Sequence, residues 1–465
     1  MAEKFITLSN NFLSTYILIP ILLFGGLYFT FRTRFSQFRL LKDQFKLLSE
    51  KSENNNGVSS FQALMVSTAS RVGTGNLVGV STAICLGGFG SVFWMWVIAI
   101  IGSASAFAES TLAQIYKKRD KDGCYGGPAY YIQSALHNKP LAIIFSIFLI
   151  LTYGFGFNML ASYNLQSSFS SYKFYNSSSS PWIIGFIIAL LVAYCLIGGG
   201  KRIEKITSLL VPVIGITYVL VALFVVVTNI TTLPGVFTRI FTEAFDFKAI
   251  FGGFSGSCIM YGIRRGLFSN EAGVGSAPNA SASAEVTHPV KQGLVQVLSV
   301  FIDTLVICSA TAFLCMCSGV EPSVELSGAP YVQEALKATL GNFGPVIITV
   351  AMILFAFTTL LGNLYYVEKC INFLAGKVPS KTTQIICHII ASLVIFVGAG
   401  LSADLLWGIA DITMGGMTII NIPVILILSK YVVRALKDYD LQKKQGKNPV
   451  FKAESIGING TDYWN

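Results

Sequence analysis

Apolar stretches of about 20 residues recur along almost the whole of this 465-residue chain. A helix of that length just crosses the hydrocarbon core of a bilayer, so the repetition predicts a polytopic membrane protein. The composition agrees, because 53% of the residues are hydrophobic and only 12% are charged, about half the charged share of a soluble domain. A soluble fold is therefore excluded. The predicted spans are 14–31, 64–87, 91–115, 141–161, 182–198, 206–228, 250–288, 292–317, 344–366, 384–404 and 406–429.

The basic residues predict how these spans are oriented. If the eleven spans alternate across the membrane, 25 Lys and Arg residues fall on the side of the first connection and 5 on the other side. An excess of Lys and Arg marks cytoplasmic loops, which predicts an outside N-terminus and a cytoplasmic C-terminus. The net charge of +10 indicates no nucleic-acid partner, because the basic residues lie in short runs between spans rather than along one stripe.

Two predicted spans are interrupted by glycines and polar residues, SRVGTGNLVG at 70–79 and GIRRGLFSNEAGVGSAP at 262–278. Without the first span, each interrupted span opens a set of five, and since five is odd the two sets have opposite orientations. Broken helices at matching places in inverted repeats are typical of secondary transporters, because unwound backbone is tolerated only where it lines a cavity. The predicted fold class is all-α: a transmembrane bundle of eleven helices with a 5+5 inverted repeat, two broken helices and one extra N-terminal helix.

This architecture predicts four parts of the chain. They are an extra helix with its basic connection at 1–63, a first five-helix repeat at 64–228, a second repeat at 250–429 and a basic cytoplasmic tail at 430–465.

The first interruption carries two glycines that relax the helix and release backbone N–H and C=O groups. Freed amides suit a substrate carboxylate, while freed carbonyls and the Asn76 side chain suit a dehydrated sodium ion. The alternative is close packing, since glycines also let membrane helices approach each other. The predicted substrate-binding residues of this segment are Gly73, Thr74, Gly75 and Asn76.

The second interruption places a hydroxyl, an amide and a carboxylate on one membrane segment, which is costly unless the groups have a function. Glu271 has two open interpretations. It is either a structural carboxylate that caps exposed amides or pairs with Arg264 or Arg265, or a residue that contacts the cargo. The predicted substrate-binding residues of this segment are Gly266, Phe268, Ser269 and Asn270.

The two interrupted segments resemble motifs of the alanine or glycine:cation symporter family. Further segments follow in the family's order, namely GGFGSVFWMW, AESTLAQIYK, GGPAYYI and HPVKQGL, and the resemblance extends from about residue 60 to residue 420. The resemblance implies a LeuT-like core, similar to that of the neurotransmitter:sodium symporters. It also implies a bacterial inner-membrane protein that imports a small neutral amino acid, alanine or glycine, or D-alanine or glutamine, together with sodium. No enzymatic activity and no organic cofactor are expected.

The resemblance also implies an ion site. In neurotransmitter:sodium symporters, carbonyls beside the first interruption and paired hydroxyls of the eighth core helix bind sodium. Here the ninth span carries adjacent threonines in AFTTLLGN, which are otherwise often bonded to their own helical turn. The implied sodium ligands are Ala69, Val72, Thr358 and Thr359.

The chain departs from the family pattern at two positions expected to face the cargo. Ala161 stands where many members have Gln, and Asn363 follows Gly362 where the family often has Trp. Ala161, Gly362 and Asn363 complete the predicted substrate-binding residues, and the two departures leave the preferred amino acid open.

Three other functions suit a polytopic membrane chain less well or stay open. A channel fits poorly with two breaks that mix donors and acceptors, and an integral-membrane enzyme lacks a nameable nucleophile and base. Coupling to protons instead of sodium stays open.

Three further polar residues are weaker signals. Glu109 and Asp303 are expected to be hydrogen-bonded within the bundle, and His288 is expected to end a helix. The sequence leaves sodium stoichiometry and oligomeric state undetermined.

Overall fold

The computed structural model describes residues 9–50, 57–120, 123–197, 199–246 and 257–464, and it is almost entirely helical over these ranges. One connection contains a short antiparallel pair of strands, β1 (Lys118–Arg119) and β2 (Cys124–Tyr125). In chain order the helices are α1 (Ser9–Arg32), α2 (Ser36–Arg39), α3 (Leu41–Leu48), α4 (Ser60–Arg71), α5 (Gly75–Gly87), α6 (Gly90–Ile115), α7 (Pro128–Leu136), α8 (Lys139–Ser167), α9 (Ser180–Leu196), α10 (Gly199–Thr228), α11 (Leu233–Ala244), α12 (Cys258–Asn270), α13 (Pro278–Ser281), α14 (Pro289–Cys317), α15 (Ala329–Leu340), α16 (Phe343–Ala375), α17 (Lys381–Gly398), α18 (Ala403–Ile427) and α19 (Ser429–Lys444).

Within the described ranges, eight of these helices are long and apolar enough to cross a membrane: α1, α6, α8, α10, α14, α16, α17 and α18. Helices α5 and α9 are apolar but shorter. The chain is therefore a mostly helical, polytopic membrane protein, as the sequence predicted. The predicted span 250–288 begins outside the described residues, and the structure describes it from residue 257 onward.

Burial separates central helices from peripheral ones. In the most apolar window of α14, 72% of the residues are buried inside the protein, against 17% for α17 and 28% for α10. Large apolar side chains such as Phe186, Leu190, Leu220 and Ile389 are exposed on the peripheral helices. An apolar surface of this extent matches the hydrocarbon of a bilayer, where helices satisfy their own backbone groups.

The first interruption separates α4 from α5. Helix α4 begins with a capping box, in which Ser59 and Gln62 bond each other's backbone N–H. It ends at Arg71, and Val72 leaves the helical region with φ −77° and ψ 89°. The chain resumes as α5 with a wide π-helical turn over Gly75–Gly79, a form found mostly in short segments that are often functional.

The second interruption is longer and follows α12. Glu271 ends the helix in the left-handed region with φ 52°, and Gly273 and Gly275 also have positive φ values of 85° and 91°. Residues 271–277 form no helix before the short α13. The strained Glu271 conformation is uncommon for a residue with a side chain and persists only where surrounding contacts hold it.

Helix α16 brings the predicted ninth span against the first interruption. A Cβ placed on Gly362 would lie 2.7 Å from the backbone nitrogen of Ser70. Only a glycine permits this approach, so the α16 side chains one turn earlier, including Thr359, reach the interrupted backbone.

The C-terminal part of the chain folds onto the end of the bundle where α6 finishes. The Trp464 indole donates to the Gln114 carbonyl at 2.7 Å, and the Phe451 amide donates to the Thr287 carbonyl at 2.9 Å. Lys117 lies 4.0 Å from the centre of the Tyr463 ring, and burial lowers the pKa of Lys117 to about 8. The segment predicted as a tail at 430–465 is thus, over its described residues, packed against the bundle.

Candidate functional site

A small central cavity lies between the first interruption and Phe268, in the last turn of α12. Its volume of about 10 Å³ has room for about one water molecule. Five of the predicted substrate-binding residues line it, together with groups from α4, α8 and α16. The lining residues are Ser70, Arg71, Gly73, Thr74, Gly75, Phe157, Leu160, Ala161, Phe268 and Thr359.

The predicted sodium ligands are close to this cavity, and the two threonines differ. Within the described residues, the buried Thr359 hydroxyl has no hydrogen-bond partner, and a Cβ on Gly73 would collide with it. The Thr358 hydroxyl instead donates to the carbonyls of Leu354 or Phe355, both at 3.1 Å. Thr359 therefore faces the interruption with free lone pairs, whereas Thr358 is bonded to its own turn.

The backbone at the first interruption is released as a sodium site requires. A continuous helix would bond the Gly73 N–H to the Ala69 carbonyl. Here the Gly73 N–H donates to Asn76 Oδ1 at 2.8 Å, which leaves the Ala69 carbonyl without that helical donor. Val72, with its non-helical ψ, turns its own carbonyl out of the helical direction.

Asn76 links the first interruption to α12 and α14 rather than lining the cavity. Its Nδ2 lies 3.0 Å from Ser269 Oγ and 2.7 Å from Asp303 Oδ1. Ser269 Oγ and Thr304 Oγ1 both donate to Asp303 Oδ2 at 2.8 Å. The buried Asp303 is thus hydrogen-bonded, as expected from the sequence, and sits in a π-helical stretch of α14 over Phe301–Cys308.

Glu271 joins the second interruption to the first. Its carboxylate accepts from Ser70 Oγ at 3.0 Å and from Ser276 Oγ at 2.6 Å. Ser70 Oγ also lies 2.7 Å from Asn363 Oδ1, and Asn363 donates to Asn158 Oδ1 at 3.0 Å. Asn363 therefore belongs to a buried polar chain behind the cavity.

The suggested pairing of Glu271 with Arg264 or Arg265 is not formed. Both arginines face Asp411 of α18 instead, with nitrogen to oxygen distances of 3.1 Å and 3.6 Å. Glu271 instead contacts hydroxyls at the two breaks, those of Ser70 and Ser276, and a contact with the cargo stays a prediction.

Arg71, which adjoins the first interruption, also lines the cavity, although it is not among the predicted substrate-binding residues. Its Nη1 donates to Gln296 Oε1 at 3.0 Å, and the side chain is buried. Among the described residues, its Nε and Nη2 have no hydrogen-bond partner. A buried guanidinium with unpaired donors is costly in an apolar environment, so these donors are available to an anionic ligand.

The remaining predicted substrate-binding residues lie outside the cavity lining and contribute to the packing and hydrogen bonds around it. A Cβ on Gly266 would lie 2.6 Å from Ile98 Cγ2 of α6, so this glycine permits close helix packing. Asn270 Oδ1 accepts the Ala272 N–H at 3.0 Å. Gly262 and Gly362 likewise permit close backbone approach. Gly266, Ser269, Asn270, Gly362, Asn363 and Asn76 do not line the cavity.

Three aromatic rings separate the cavity from a larger vestibule. The ring centres of Phe157 and Phe268 are 4.4 Å apart, and those of Phe268 and Trp407 are 4.6 Å apart. Beyond this layer the vestibule has a volume of about 570 Å³ and reaches the face where α1 begins. The phenylalanine and tryptophan side chains that form this layer were not predicted as a group, because no local pattern links α8, α12 and α18.

Two interrupted helices that share one cavity, closed on one side by an aromatic layer, define a secondary transporter. The family model for the sodium:alanine symporter family matches residues 1–453. The amino-acid carrier protein AlsT of Bacillus subtilis (strain 168) is 44% identical over 463 residues, covering 99% of this chain and 97% of AlsT. The probable sodium/glutamine symporter GlnT of the same organism is 43% identical, covering 99% of this chain and 96% of GlnT.

The chain therefore belongs to the sodium:alanine symporter family. The family predicted from the sequence motifs is confirmed, and with it the function of sodium-coupled amino acid symport.

Solved structures support the fold. MhsT in complex with L-phenylalanine matches with a TM-score of 0.57 at 13% identity, covering 83% of this chain and 99% of MhsT. A manganese transporter of Eremococcus coleocola matches with a TM-score of 0.51 at 13% identity, covering 84% and 81%. One neighbour is bound to L-phenylalanine and the other is a manganese transporter. The shared fold alone therefore does not specify what this chain transports.

Proposed function

We propose that this chain imports a small neutral amino acid of the alanine or glycine class together with sodium, by alternating access across a bacterial inner membrane. The observation that carries the proposal is a buried cavity bordered by Gly73 and Gly75 of the first interruption and by Phe268, in the last turn of the helix that leads into the second. Unwound backbone inside a membrane bundle requires polar ligands. The family and the names of AlsT and GlnT support sodium and an amino acid as those ligands.

The proposed architecture has eleven spans. The eight long apolar helices, the shorter α9 and the two interrupted segments, α4 with α5 and α12 with its extension, would supply them. The first repeat occupies 64–228 and the second 250–429, with opposite orientations. The N-terminus lies outside and the C-terminus in the cytoplasm, which the distribution of Lys and Arg supports.

The amino acid carboxylate binds at the N-terminal end of α5, against the N–H groups of Thr74 and Gly75 and the free donors of Arg71. Amides at a helix N-terminus and an arginine fork both suit a carboxylate. Ala161 and Phe268 border the side chain of the cargo. Ala161 occupies less space than a larger residue would, which supports alanine, D-alanine or glutamine as the cargo once the cavity widens.

Sodium lies between the carbonyls of Ala69 and Val72 and the hydroxyls of Thr359 and Thr358. The free Thr359 hydroxyl supports this assignment directly. Thr358 contributes through its remaining lone pair, because its proton is donated within α16.

The central cavity must widen to hold an amino acid, since its present volume suits about one water molecule. Rotation of Phe157 and Phe268 would both enlarge it and open it to the vestibule, because these rings form its wall on that side. The two repeats then rock around the bound cargo.

The test is uptake by the purified full chain in proteoliposomes, with a panel of competing amino acids and an imposed sodium gradient. We expect concentrative, sodium-driven uptake of a labelled small neutral amino acid, and competition within the panel identifies the preferred cargo. Uptake that is independent of sodium and driven by a proton gradient would contradict sodium as the coupling ion. Glu271 would then be the first residue to replace. Downhill flux without accumulation would instead indicate a channel.

Arg71 provides a sharper test of the cargo site. Arg71→Gln is expected to raise the half-saturating amino acid concentration at least tenfold, about the effect of one charge-assisted hydrogen bond. Arg71→Lys should recover part of the loss, since it keeps the charge. Lys173→Gln, which removes an exposed charge from a loop, is the control. Equal kinetics for Arg71→Gln and the unmodified protein would remove Arg71 from the site.

A further inference from the structure

The vestibule above the aromatic layer has a charged floor. It is lined by side chains from α1, α8, α12 and α18. At the bottom, Arg264 and Arg265 of α12 face Asp411 of α18. Asp404 also lines the vestibule, but it is exposed near the rim. The floor thus holds two guanidinium groups and one buried carboxylate.

Arg264 binds one carboxylate oxygen of Asp411, and among the described residues the other oxygen, Oδ1, has no hydrogen-bond partner. Its Nη2 donates to Asp411 Oδ2 at 3.1 Å, and its Nη1 lies 3.3 Å from Asn11 Oδ1 on α1. The same Asp411 oxygen accepts from Asn10 Nδ2 at 3.1 Å. Arg264, Asp411 and the start of α1 are therefore tied to one another.

Arg265 is left with unused donors. Its Nη1 is 3.6 Å from Asp411 Oδ1, beyond hydrogen-bond range. Over the described residues, neither Nε nor Nη1 of Arg265 has a hydrogen-bond partner, although the side chain is only 6% exposed. The guanidinium carbon lies 3.8 Å from the centre of the Trp407 ring, which holds the fork in place.

A buried, oriented arginine with free Nε and Nη1 donors, one on each of two edges of the guanidinium, can give a charge-assisted hydrogen bond to a carboxylate oxygen. Packing on Trp407 explains the position of Arg265 but not its unsatisfied donors. Asp404, lining the same vestibule, suits the ammonium group of a zwitterion.

We propose that Arg265 forms an entry subsite that binds the carboxylate of an incoming amino acid before the aromatic layer opens. The proposal rests on the proposed function, because it places this subsite on the path to the central cavity. Arg265 stacks on Trp407, and Trp407 packs on Phe268, so a carboxylate on Arg265 would bind beside the ring that closes the cavity.

The experiment measures binding of propionate, a carboxylate without an ammonium group, to the purified full chain in nanodiscs by saturation-transfer NMR. We expect the unmodified protein to bind propionate but not propionamide. Arg265→Gln should weaken binding at least tenfold, while Arg265→Lys keeps measurable binding. Lys173→Gln removes an equal charge from an exposed loop and should bind like the unmodified protein.

Arg71→Gln separates this subsite from the central cavity, because it removes the donors proposed for the carboxylate in the cavity and changes none of the floor residues. Retained propionate binding in Arg71→Gln, with loss in Arg265→Gln, supports the subsite. Loss in Arg71→Gln would place the carboxylate in the central cavity, and unchanged binding in Arg265→Gln would equally overturn the proposal. Binding does not require transport, so absent amino acid uptake by the unmodified protein would count against the proposed function alone.

Discussion

At the scale of single residues, two kinds of polar side chain surround the cavity. Asn76, Asp303 and Glu271 are fully engaged with neighbours and hold the interrupted segments in position. Arg71 and Thr359 keep unpaired atoms although they are buried. Buried polar groups are normally hydrogen-bonded, so the unpaired ones are the stronger candidates for ligand contact.

This difference predicts unequal roles for the two threonines. Thr359→Ala should raise the half-saturating sodium concentration of uptake about tenfold, because it removes a free oxygen ligand, worth about 1.4 kcal/mol. Thr358→Ala should have a smaller effect, since the Thr358 hydroxyl is already bonded to its own turn. Sodium titrations of initial uptake rates would measure both, with Thr359→Ser as the conservative control. A larger effect at Thr358 would contradict the assignment.

Gly75 supports a second prediction at this scale. A Cβ on Gly75 would lie 2.8 Å from Phe268 Cε1, so Gly75→Ala must displace the ring that borders the cargo. We expect uptake to fall at least tenfold while the protein still inserts, as checked by its yield in membranes. Gly235→Ala is a matched control, because a Cβ there meets no described atom within 4 Å. Normal uptake by Gly75→Ala would remove this glycine from the site.

At the scale of elements, the two interruptions are built differently. In the first interruption only Val72 and Gly73 are non-helical, whereas in the second interruption the chain is unwound over residues 271–277. The short break is rejoined through Asn76, which replaces a backbone acceptor for the Gly73 N–H. The long break depends on side chains from other helices, including Asn421, which donates to the Gly273 carbonyl at 2.9 Å.

The sequence was informative about elements because hydropathy and glycine clusters are local signals. They predicted a polytopic helical bundle and the two interruptions, and four predicted substrate-binding residues of the motifs around Gly73 and Phe268 line the cavity. Contacts between distant segments left no such signal. The pairing of Asp411 with Arg264 and the aromatic layer with Trp407 depend on how α12 meets α18, and no spacing within either helix encodes that geometry.

The topology gives a prediction at the scale of elements. The bias of Lys and Arg predicts that the two ends of the chain lie on opposite sides of the membrane. Reporter fusions placed before Ser9 and after Lys444 should report an outside N-terminus and a cytoplasmic C-terminus. Fusions that report the same side for both ends would require an even number of spans and would break the inverted-repeat assignment.

At the scale of the whole molecule, the two ends of the bundle differ. One end has a vestibule of about 570 Å³ that leads to Phe268 and Trp407. The other end is covered by α19 and the segment after it, through contacts such as that of Trp464 with Gln114. The structure therefore has an accessible end and a closed end, as alternating access requires of one of its states.

The closed end contains a histidine whose protonation should loosen it. His288 Nδ1 accepts the Val290 N–H at 3.2 Å, which caps α14, and Nε2 lies 3.2 Å from Asp438 of α19. Burial lowers the pKa of His288 below its ordinary value of 6.5, and it outweighs the opposing Asp438 carboxylate, while Lys291 lowers the pKa further. A depressed folded-state pKa means that the neutral form stabilises the fold above about pH 6.5 and that this contribution is lost as the pH falls through the lower value.

We therefore expect the amides of Val290 and Phe451 to exchange faster with solvent at pH 5 than at pH 7.5, after correction for intrinsic rates. Protonated Nδ1 cannot accept the Val290 N–H, and loss of an N-cap costs about 1 kcal/mol, or about a fivefold increase in opening. His288→Asn keeps a neutral capping side chain that does not titrate, so its exchange should be independent of pH over this range. Equal pH dependence in His288→Asn and the unmodified protein would show that another group controls the closed end.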